Sequence, residues 1–460
     1  MIKLKYILAV CLLCIMGVSS CKVGSKYHRP EVNMPHTFDE LSADTASVAD
    51  IGWSTLYGDT VLCSLIDKAL EHNKDVLIAT ARIKEMIANK RITFAGMFPE
   101  LGLDVLPYER EYTNYGGNSD SYTTEIHGKL SVGWELDIWG KLRWANDAGI
   151  AAYMQSVEAR KALRLTIIAQ VAQTYFELKA LDQELEIVRQ TLDSRKEEVH
   201  FAKIRYDGGM TSEIPYRQSL LELAKAETHV PELEQSIKLK ENDLSVLLGE
   251  FPRYIRRGEV LSRQYIPEYL PVDLPSALLE RRPDVRQAEQ QLIQANANVG
   301  VAFTEMFPSI KLTGEYGVEN SELTDLLKSP AWLVSGAVTG PIFNMGKNKA
   351  KHNAAKAAYE QEVYNYEKTI LNVFGEVNGA IIAFRKAKEI HHSQEAVYRS
   401  AKSYQNLARI QYVNGFISYL DVLDAQRQLF DAQVSLNNAV LNELLSMVAL
   451  YKALGGGLEK

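Results

Sequence analysis

The chain contains two copies of one long unit. When the N-terminal half is shifted by 209 residues it matches the C-terminal half at many positions, and beyond a small deletion the offset becomes 206. This unit is far longer than solenoid repeats, whose periods are about 20–50 residues. The duplication predicts that each half carries a helix, two strands, one very long helix, a tight tip and a returning helix. Matching pairs include Met97-Phe98-Pro99 with Met306-Phe307-Pro308, Gly140-Lys141 with Gly346-Lys347, and Leu248-Gly249 with Leu454-Gly455.

The repeats set the predicted division of the chain. Residues 58–249 form the first repeat and residues 276–457 the second. Residues 250–275, which contain four prolines, are predicted to be a linker or equatorial segment. Residues 21–57 are polar and irregular, and we expect them to form an N-terminal tether.

The first twenty residues have the features of a secretory signal peptide. Lys3 and Lys5 precede an apolar core that is too short to span a bilayer stably. The sequence Val18-Ser19-Ser20-Cys21 then places small residues before a cysteine, as in a bacterial lipobox. We therefore expect residues 1–20 to be removed and Cys21 to carry a covalent lipid. The alternative is an ordinary signal peptide with a coincidental cysteine.

Composition and motifs exclude several classes of protein. With residues 1–20 removed and Cys21 lipidated, Cys63 is the only cysteine left, so no intramolecular disulfide is expected. A formal net charge of −7 with interspersed signs argues against a nucleic-acid partner. No run of 18 apolar residues follows the signal, so any membrane span should be a β-barrel. The sequence lacks HExxH, GxSxG, P-loop and CxxC motifs, and we expect neither an enzyme nor a metal site.

The segment from Tyr122 to Ile138 alternates between apolar and polar residues over 17 positions. Strands of soluble sheets have about five or six residues, whereas strands crossing an outer membrane alternate over about ten. We predict a membrane strand whose even positions from 126 to 138, apart from any glycine, face lipid, with a partner at Leu101 to Val105. The second repeat supplies strands from Ile310 to Val318 and from Trp332 to Phe343. A soluble antiparallel sheet is the alternative.

Four strands are too few to close a membrane barrel. Antiparallel membrane barrels begin at about eight strands, and an open sheet would leave unpaired edge groups in lipid at several kcal/mol each. Three copies give twelve strands, an even and closable number. The sequence therefore predicts an oligomer, and the simplest one is a homotrimer with a twelve-stranded barrel in outer-membrane lipid.

A very long helix follows each strand pair. Lys141 to Arg205 and Lys347 to Tyr412 contain no proline, and at 1.5 Å per residue each would be roughly 98 Å long. Helices of this length need packed neighbours, which favours a curved wall of helices. The tips Asp207-Gly208-Gly209 and Val413-Asn414-Gly415 contain glycines that permit positive φ. A helix ahead of the first strands is predicted from Thr60 to Phe98.

These features resemble the outer-membrane efflux protein family, the TolC-like ducts, and in particular its lipoprotein branch that serves RND-type pumps. The similarity covers essentially all of residues 21–457. Its most specific part is the second tip, Tyr412 to Gly415, with Tyr419 to Arg427 after it. Other matching segments are Cys21 with Val23-Gly24-Ser25-Lys26-Tyr27, Trp53, Gly140-Lys141, Arg281-Arg282-Pro283-Asp284-Val285 and Phe307-Pro308.

The resemblance implies a mixed α and β fold, in which the trimeric barrel continues into a long periplasmic α-helical barrel. Its tips would meet a periplasmic adaptor, or membrane fusion protein, that links it to an inner-membrane RND-type pump. The chain would be the passive exit duct of a tripartite efflux system. The alternatives are a TolC-type duct for protein secretion and a lipid-anchored periplasmic coiled-coil scaffold.

By the same resemblance, Leu420, Asp424 and Arg427 match constriction positions at the periplasmic entrance, and Asp421 matches an additional aspartate. Three-fold symmetry would turn each aspartate into a ring, and Arg427 could bond a neighbouring carboxylate. Asp421 could instead cap the returning helix together with Ser418.

The tip residues are candidates for contact with the adaptor, although turn geometry alone would explain the glycines. They are Gly208, Gly209, Asn414 and Gly415.

Overall fold

The computed structural model describes residues 22–35, 38, 48–114, 120–264, 266–267 and 275–456. The predicted signal peptide and Cys21 lie outside these ranges. The described residues belong to two compact units. The sheet unit lies within Met1–Val32, Ala81–Val157 and Arg286–Lys368, and the helical unit within Asn33–Thr80, Glu158–Val285 and Thr369–Lys460. Both units draw on both sequence repeats, and the predicted repeat boundaries stay a prediction.

The predicted helix from Thr60 to Phe98 is two helices, so that prediction is wrong. A short helix, α1 (Trp53–Tyr57), precedes α2 (Thr60–His72) and α3 (Lys74–Ala95). Asn73 interrupts the helix because its side-chain oxygen accepts hydrogen bonds from the backbone N–H groups of Asp75 (2.9 Å) and Val76 (3.3 Å). An asparagine in this position caps the start of a new helix.

The four strands form one antiparallel sheet in the order β1 (Glu100–Asn114), β2 (Asp120–Leu136), β3 (Ser309–Asn320) and β4 (Pro330–Thr339). The register pairs Leu103 with Leu130 and Leu130 with Tyr316. The predicted fourth strand extended to Phe343, but β4 ends at Thr339. Gly340 and Pro341 follow it, and a proline has no N–H to continue the ladder.

Two helical hairpins form most of the remaining chain. The first comprises α4 (Lys141–Asp207) and α5 (Glu213–Leu247), and two further helices, α6 (Leu278–Arg281) and α7 (Pro283–Thr304), precede β3. The second comprises α8 (Lys347–Val413) and α9 (Tyr419–Ala453). The prediction of positive φ at the two tips is confirmed, with φ of 70° at Gly209 and 79° at Gly415. No helix in the described ranges is both long enough and apolar enough to cross a membrane.

A buried polar network holds α2 and α4 together in the helical unit. Asp59 caps α2 by accepting from the N–H of Val61 at 2.9 Å. The same carboxylate accepts from the Tyr175 hydroxyl (3.1 Å) and from Lys179 Nζ (3.2 Å) on α4. Lys179 Nζ also donates to the side chain of Gln264 at 2.9 Å. Burial lowers the pKa of Lys179, and the attraction of Asp59 opposes part of that effect.

Candidate functional site

One face of the sheet is apolar and open. Strand pairing places large apolar side chains of all four strands on this face, and many of them are between 39% and 78% exposed, although Ile126 on the same face is 7% exposed. Soluble monomers rarely expose an apolar surface that is continuous over a whole sheet. The face therefore suits contact with lipid. Its members include Leu101, Leu103, Leu130, Val132, Tyr316, Trp332 and Val334.

The opposite face of the sheet is polar. Ser131 pairs with Glu315 in the ladder, and Lys129 forms an ion pair with Glu319 at 2.6 Å. Because successive residues of a strand point to opposite faces, the alternation in β2 gives the sheet one apolar and one polar side. This is the arrangement expected when one side meets lipid and the other meets water.

Both edges of the sheet are available for pairing. Among the described strands, β1 and β4 each have only one neighbour. The ten residues of β4 carry no charge, whereas natural edge strands are usually protected by charges, bulges or covering segments. The sheet is therefore suited to extension by further strands at both sides.

The tip of the second hairpin presents three of the four predicted gate residues on one face of α9. Leu420, Asp424 and Arg427 are spaced four and three residues apart, which places them on one side of a helix. All three are exposed, with Leu420 at 56%. Their neighbours Val422 and Leu423 are buried. The exposed face is therefore free to meet another molecule.

The fourth residue, Asp421, caps its own helix. Its carboxylate accepts from the backbone N–H of Ser418 at 2.9 Å and from the Ser418 hydroxyl at 2.7 Å. These hydrogen bonds with Ser418 lower the pKa of Asp421. The capping interpretation of Asp421 is confirmed, and no contact joins it to the other gate candidates among the described residues.

Asp424 and Arg427 are not paired with each other within one chain. Among the described residues neither has an ion-pair partner, and Arg427 makes only a weak 3.5 Å hydrogen bond from Nε to the carbonyl oxygen of Leu423. An exposed carboxylate and an exposed guanidinium on one helix face can each pair with groups of another chain.

A partly buried cluster beside these residues was missed in the sequence. Arg195 on α4, whose side chain is 6% exposed, donates to Gln426 of α9 and pairs with Glu198 at 3.3 Å. Gln426 in turn donates to Glu198. Burial raises the pKa of Glu198, although Arg195 opposes that shift. The cluster joins the first hairpin to the second immediately beside Arg427. The residues occur on charged helices where solvated pairs are common, so the sequence carries no signal for them.

A second contact joins the hairpins closer to their tips. The guanidinium of Arg205 lies 5.2 Å from the ring centroid of Tyr412, and Tyr412 packs against Tyr419 at 5.6 Å. The predicted adaptor-contact residues are exposed at the two tips. These are Gly208, Gly209, Asn414 and Gly415.

Known proteins share this architecture. The outer membrane efflux protein family matches residues 65–250 and 274–456. The cation efflux system protein CusC of Escherichia coli O157:H7 is 30% identical over 451 residues, which cover 96% of this chain and 97% of CusC. The probable outer membrane lipoprotein SilC of Salmonella typhimurium is 30% identical over 465 residues, which cover 99% of each protein. The open state of the Neisseria gonorrhoeae MtrE outer membrane channel has a TM-score of 0.87 and 30% identity, over 95% of this chain and 99% of MtrE.

The two-sided sheet and the long helical hairpins are those of a channel-forming protein of the outer membrane. The chain belongs to the outer membrane efflux protein family. Its function is that of an outer-membrane efflux channel, and the predicted family, location and function are confirmed. The predicted fold class is also confirmed, namely a trimeric outer-membrane channel with a four-stranded sheet and long helices in each chain.

Proposed function

We propose that the trimer is the passive exit duct of a tripartite efflux system, which receives substrates from an inner-membrane RND-type pump through a periplasmic adaptor. The observation that carries this proposal is the sheet, which has an apolar face for lipid, a polar face for water and two unpaired edges. A channel of this kind catalyses no reaction. The channel provides a path for the substrates, and the pump provides the energy for their transport.

The three sheets pair edge to edge, β4 of one chain with β1 of the next, into a twelve-stranded barrel. Edge pairing removes the unsatisfied backbone groups that an open sheet would expose to lipid, at several kcal/mol for each group. Native mass analysis of the detergent-extracted protein tests this assembly. Three chains per particle are expected, whereas a stable monomer or dimer would contradict the proposal.

Thiol labelling of neighbouring positions on β2 tests which face meets lipid. In a Cys63→Ser background, a cysteine at Leu130 should resist a water-soluble maleimide in intact membranes, because the apolar face is covered by lipid. A cysteine at Ser131, the adjacent residue on the opposite face, should react through the water-filled lumen. Rapid labelling at position 130 with protection at 131 would show that the polar face, and not the apolar face, is turned to lipid.

We expect Cys21 to carry the membrane anchor, in keeping with the name of the relative SilC, a probable outer membrane lipoprotein. Cys21→Ser should abolish the acyl mass and block lipoprotein-type processing, because a lipobox cysteine is the only acceptor that such processing uses. Cys63→Ser is the matched control and should leave the acyl mass in place. An N-terminal mass that Cys21→Ser does not change would rule out lipidation at this residue.

The periplasmic entrance is closed by Leu420, Asp424 and Arg427 of the three chains. The support is their shared exposed face on α9 and the absence of ion-pair partners for Asp424 and Arg427 among the described residues of their own chain. The contacts of Arg195 with Gln426, and of Arg205 with Tyr412, hold this part of α9 and α8 on the first hairpin. The adaptor engages the exposed tips at Gly208, Gly209, Asn414 and Gly415, where it can compete with these contacts.

A further inference from the structure

The loop between β4 and α8, residues 340–346 and here called the rim loop, exposes large apolar side chains. We propose that the rim loop docks on the next chain of the trimer, where Met345 covers Phe98 and where the end of β4 lies beside the start of β1 in one fixed register. This inference rests on the proposed edge-to-edge trimer. It deepens that proposal by naming the side chains and the register that join two chains.

The rim loop presents more apolar surface than a loop in water normally does. Ile342 is fully exposed, Phe343 is 80% exposed and Met345 is 86% exposed. The three residues lie within a stretch of four positions. Exposed apolar side chains that are concentrated in this way mark an interaction surface, whereas single exposed ones need no explanation. The rim loop is therefore expected to be covered in the assembled protein.

A second exposed apolar surface lies immediately before β1. Phe98 is 55% exposed, and Phe94, one helical turn earlier at the end of α3, is 50% exposed. The two rings pack together with their centroids 5.1 Å apart. They form one aromatic surface at the level where β1 begins.

The directions of the strands bring these two surfaces to the same level. All neighbouring strands of the sheet are antiparallel, so β4 ends at the side of the sheet where β1 begins. When β4 of one chain lies beside β1 of the next, the rim loop follows β4 at the level where Phe98 precedes β1. The partner that fits the rim loop is therefore a second copy of this chain.

An equivalent contact already exists inside each chain, between its two repeats. Trp139, which follows β2, stacks on Phe307, which precedes β3, with ring centroids 4.8 Å apart. The repeat offsets of 206 and 209 residues relate Trp139 to Met345 and Phe307 to Phe98. The junction of β2 with β3 within one chain is thus a template for the junction of β4 with β1 of the next chain.

The burial of these residues shows which of the two junctions lacks its partner in a single chain. Trp139 and Phe307 are half-buried where they stack, whereas their counterparts Met345 and Phe98 are both exposed. The methionine differs from the tryptophan, but its flexible thioether also packs favourably against an aromatic ring. Phe98 therefore receives Met345 where Phe307 receives Trp139.

The repeat also fixes the register of the interface. Leu136 pairs with Ile310 in the ladder between β2 and β3. The same two offsets relate this pair to Ile342, just past the end of β4, and to Leu101 of the next chain. A shift by one residue would turn apolar side chains of one strand to the polar side of the sheet. The register set by the repeat keeps the apolar face continuous across the interface.

Disulfide formation between two neighbouring chains tests this register. Counting four residues back along β4 and four forward along β1 places Val338 opposite Val105 of the next chain. In a Cys63→Ser background, Val338→Cys combined with Val105→Cys should give covalent trimers when the purified trimer is oxidised in detergent. Val338→Cys combined with Leu103→Cys is the matched control, on the same face but two residues out of register. It should give at least about tenfold less linked product, because Cα atoms more than about 7 Å apart are not bridged without backbone movement.

Replacement of Met345 tests the contact with Phe98. Met345→Ser should lower the temperature at which the purified trimer separates into single chains, as measured by native mass analysis after heating, because it removes the apolar cover of Phe98. Leu327→Ser is the matched control. Leu327 is equally exposed, at 86%, but it lies in the connection between β3 and β4 at the opposite end of the sheet. Its replacement should leave the dissociation temperature unchanged.

The outcomes separate this inference from the trimer on which it rests. An intact trimer that links the 338–103 pair in preference to the 338–105 pair would overturn the register. Equal dissociation temperatures for Met345→Ser and Leu327→Ser would overturn the contact of Met345 with Phe98. A wild-type particle with fewer than three chains would overturn the proposed trimer, and the interface with it.

Discussion

Asp424→Ala is expected to raise the conductance of the purified trimer in planar bilayers. The exposed carboxylate of Asp424 has no ion-pair partner among the described residues of its own chain, so its proposed role is to bond groups of a neighbouring chain at the closed entrance. An exposed ion pair contributes about 0.2–1 kcal/mol. Three copies would then contribute about 0.6–3 kcal/mol, and their loss shifts a closed-to-open ratio about 3- to 100-fold, since about 1.4 kcal/mol is a factor of ten. Adding Arg427→Ala should raise conductance further if other contacts of the arginine remain.

Asp193→Ala provides the matched control for this experiment. Asp193 is also an exposed helical aspartate, with a side chain 77% exposed, and its 3.5 Å contact is with Lys196 on its own helix. Its replacement should leave conductance unchanged. If Asp424→Ala also leaves conductance unchanged while native mass analysis shows an intact trimer, Asp424 is a solvated surface charge. Leu420 would then be the next gate residue to test.

The sheet could be predicted because its two faces meet different surroundings. Every second residue of β2 is apolar where one face is turned to lipid, and this alternation is visible in the sequence without knowledge of any partner. The same alternation of apolar and polar residues predicted β1 and β3. The end of β4 was placed too late, because Ile342 and Phe343 continue the apolar pattern beyond Gly340 and Pro341. Hydrophobicity indicates the face of a strand more reliably than its end.

The helix break at Asn73 and the cluster at Arg195 are two features that could not be predicted from the sequence. Asn73 lies in a segment with helical periodicity on both sides, and its role as a cap appears only when its side chain is placed against Asp75 and Val76. Arg195 and Gln426 are 231 residues apart. Spacing on one helix says nothing about a partner on another, so the shared face of Asp424 and Arg427 could be predicted while the contact of Arg195 with Gln426 could not.

Lys179→Met is expected to destabilise the helical unit strongly. The side chains of Lys179 and Asp59 are 2% and 6% exposed, so removing the cation leaves a buried carboxylate that still caps α2. Breaking a buried ion pair by removing one partner costs about 3–5 kcal/mol. Circular dichroism of the trimer during heating should show a markedly lower midpoint than the wild type.

Two further variants show whether Lys179→Met loses stability because it leaves Asp59 as an unpaired charge. Lys196→Met makes the same substitution on the same helix, but its pair with Asp193 is 55% and 77% exposed, so the midpoint should change little. Asp59→Asn added to Lys179→Met removes the unpaired charge while retaining an N-cap side chain. It should recover part of the lost stability, because a neutral amide costs less to bury than an unpaired carboxylate. Equal midpoints for Lys179→Met and Lys196→Met would mean that water reaches Asp59 and that the pair does not hold α2 against α4.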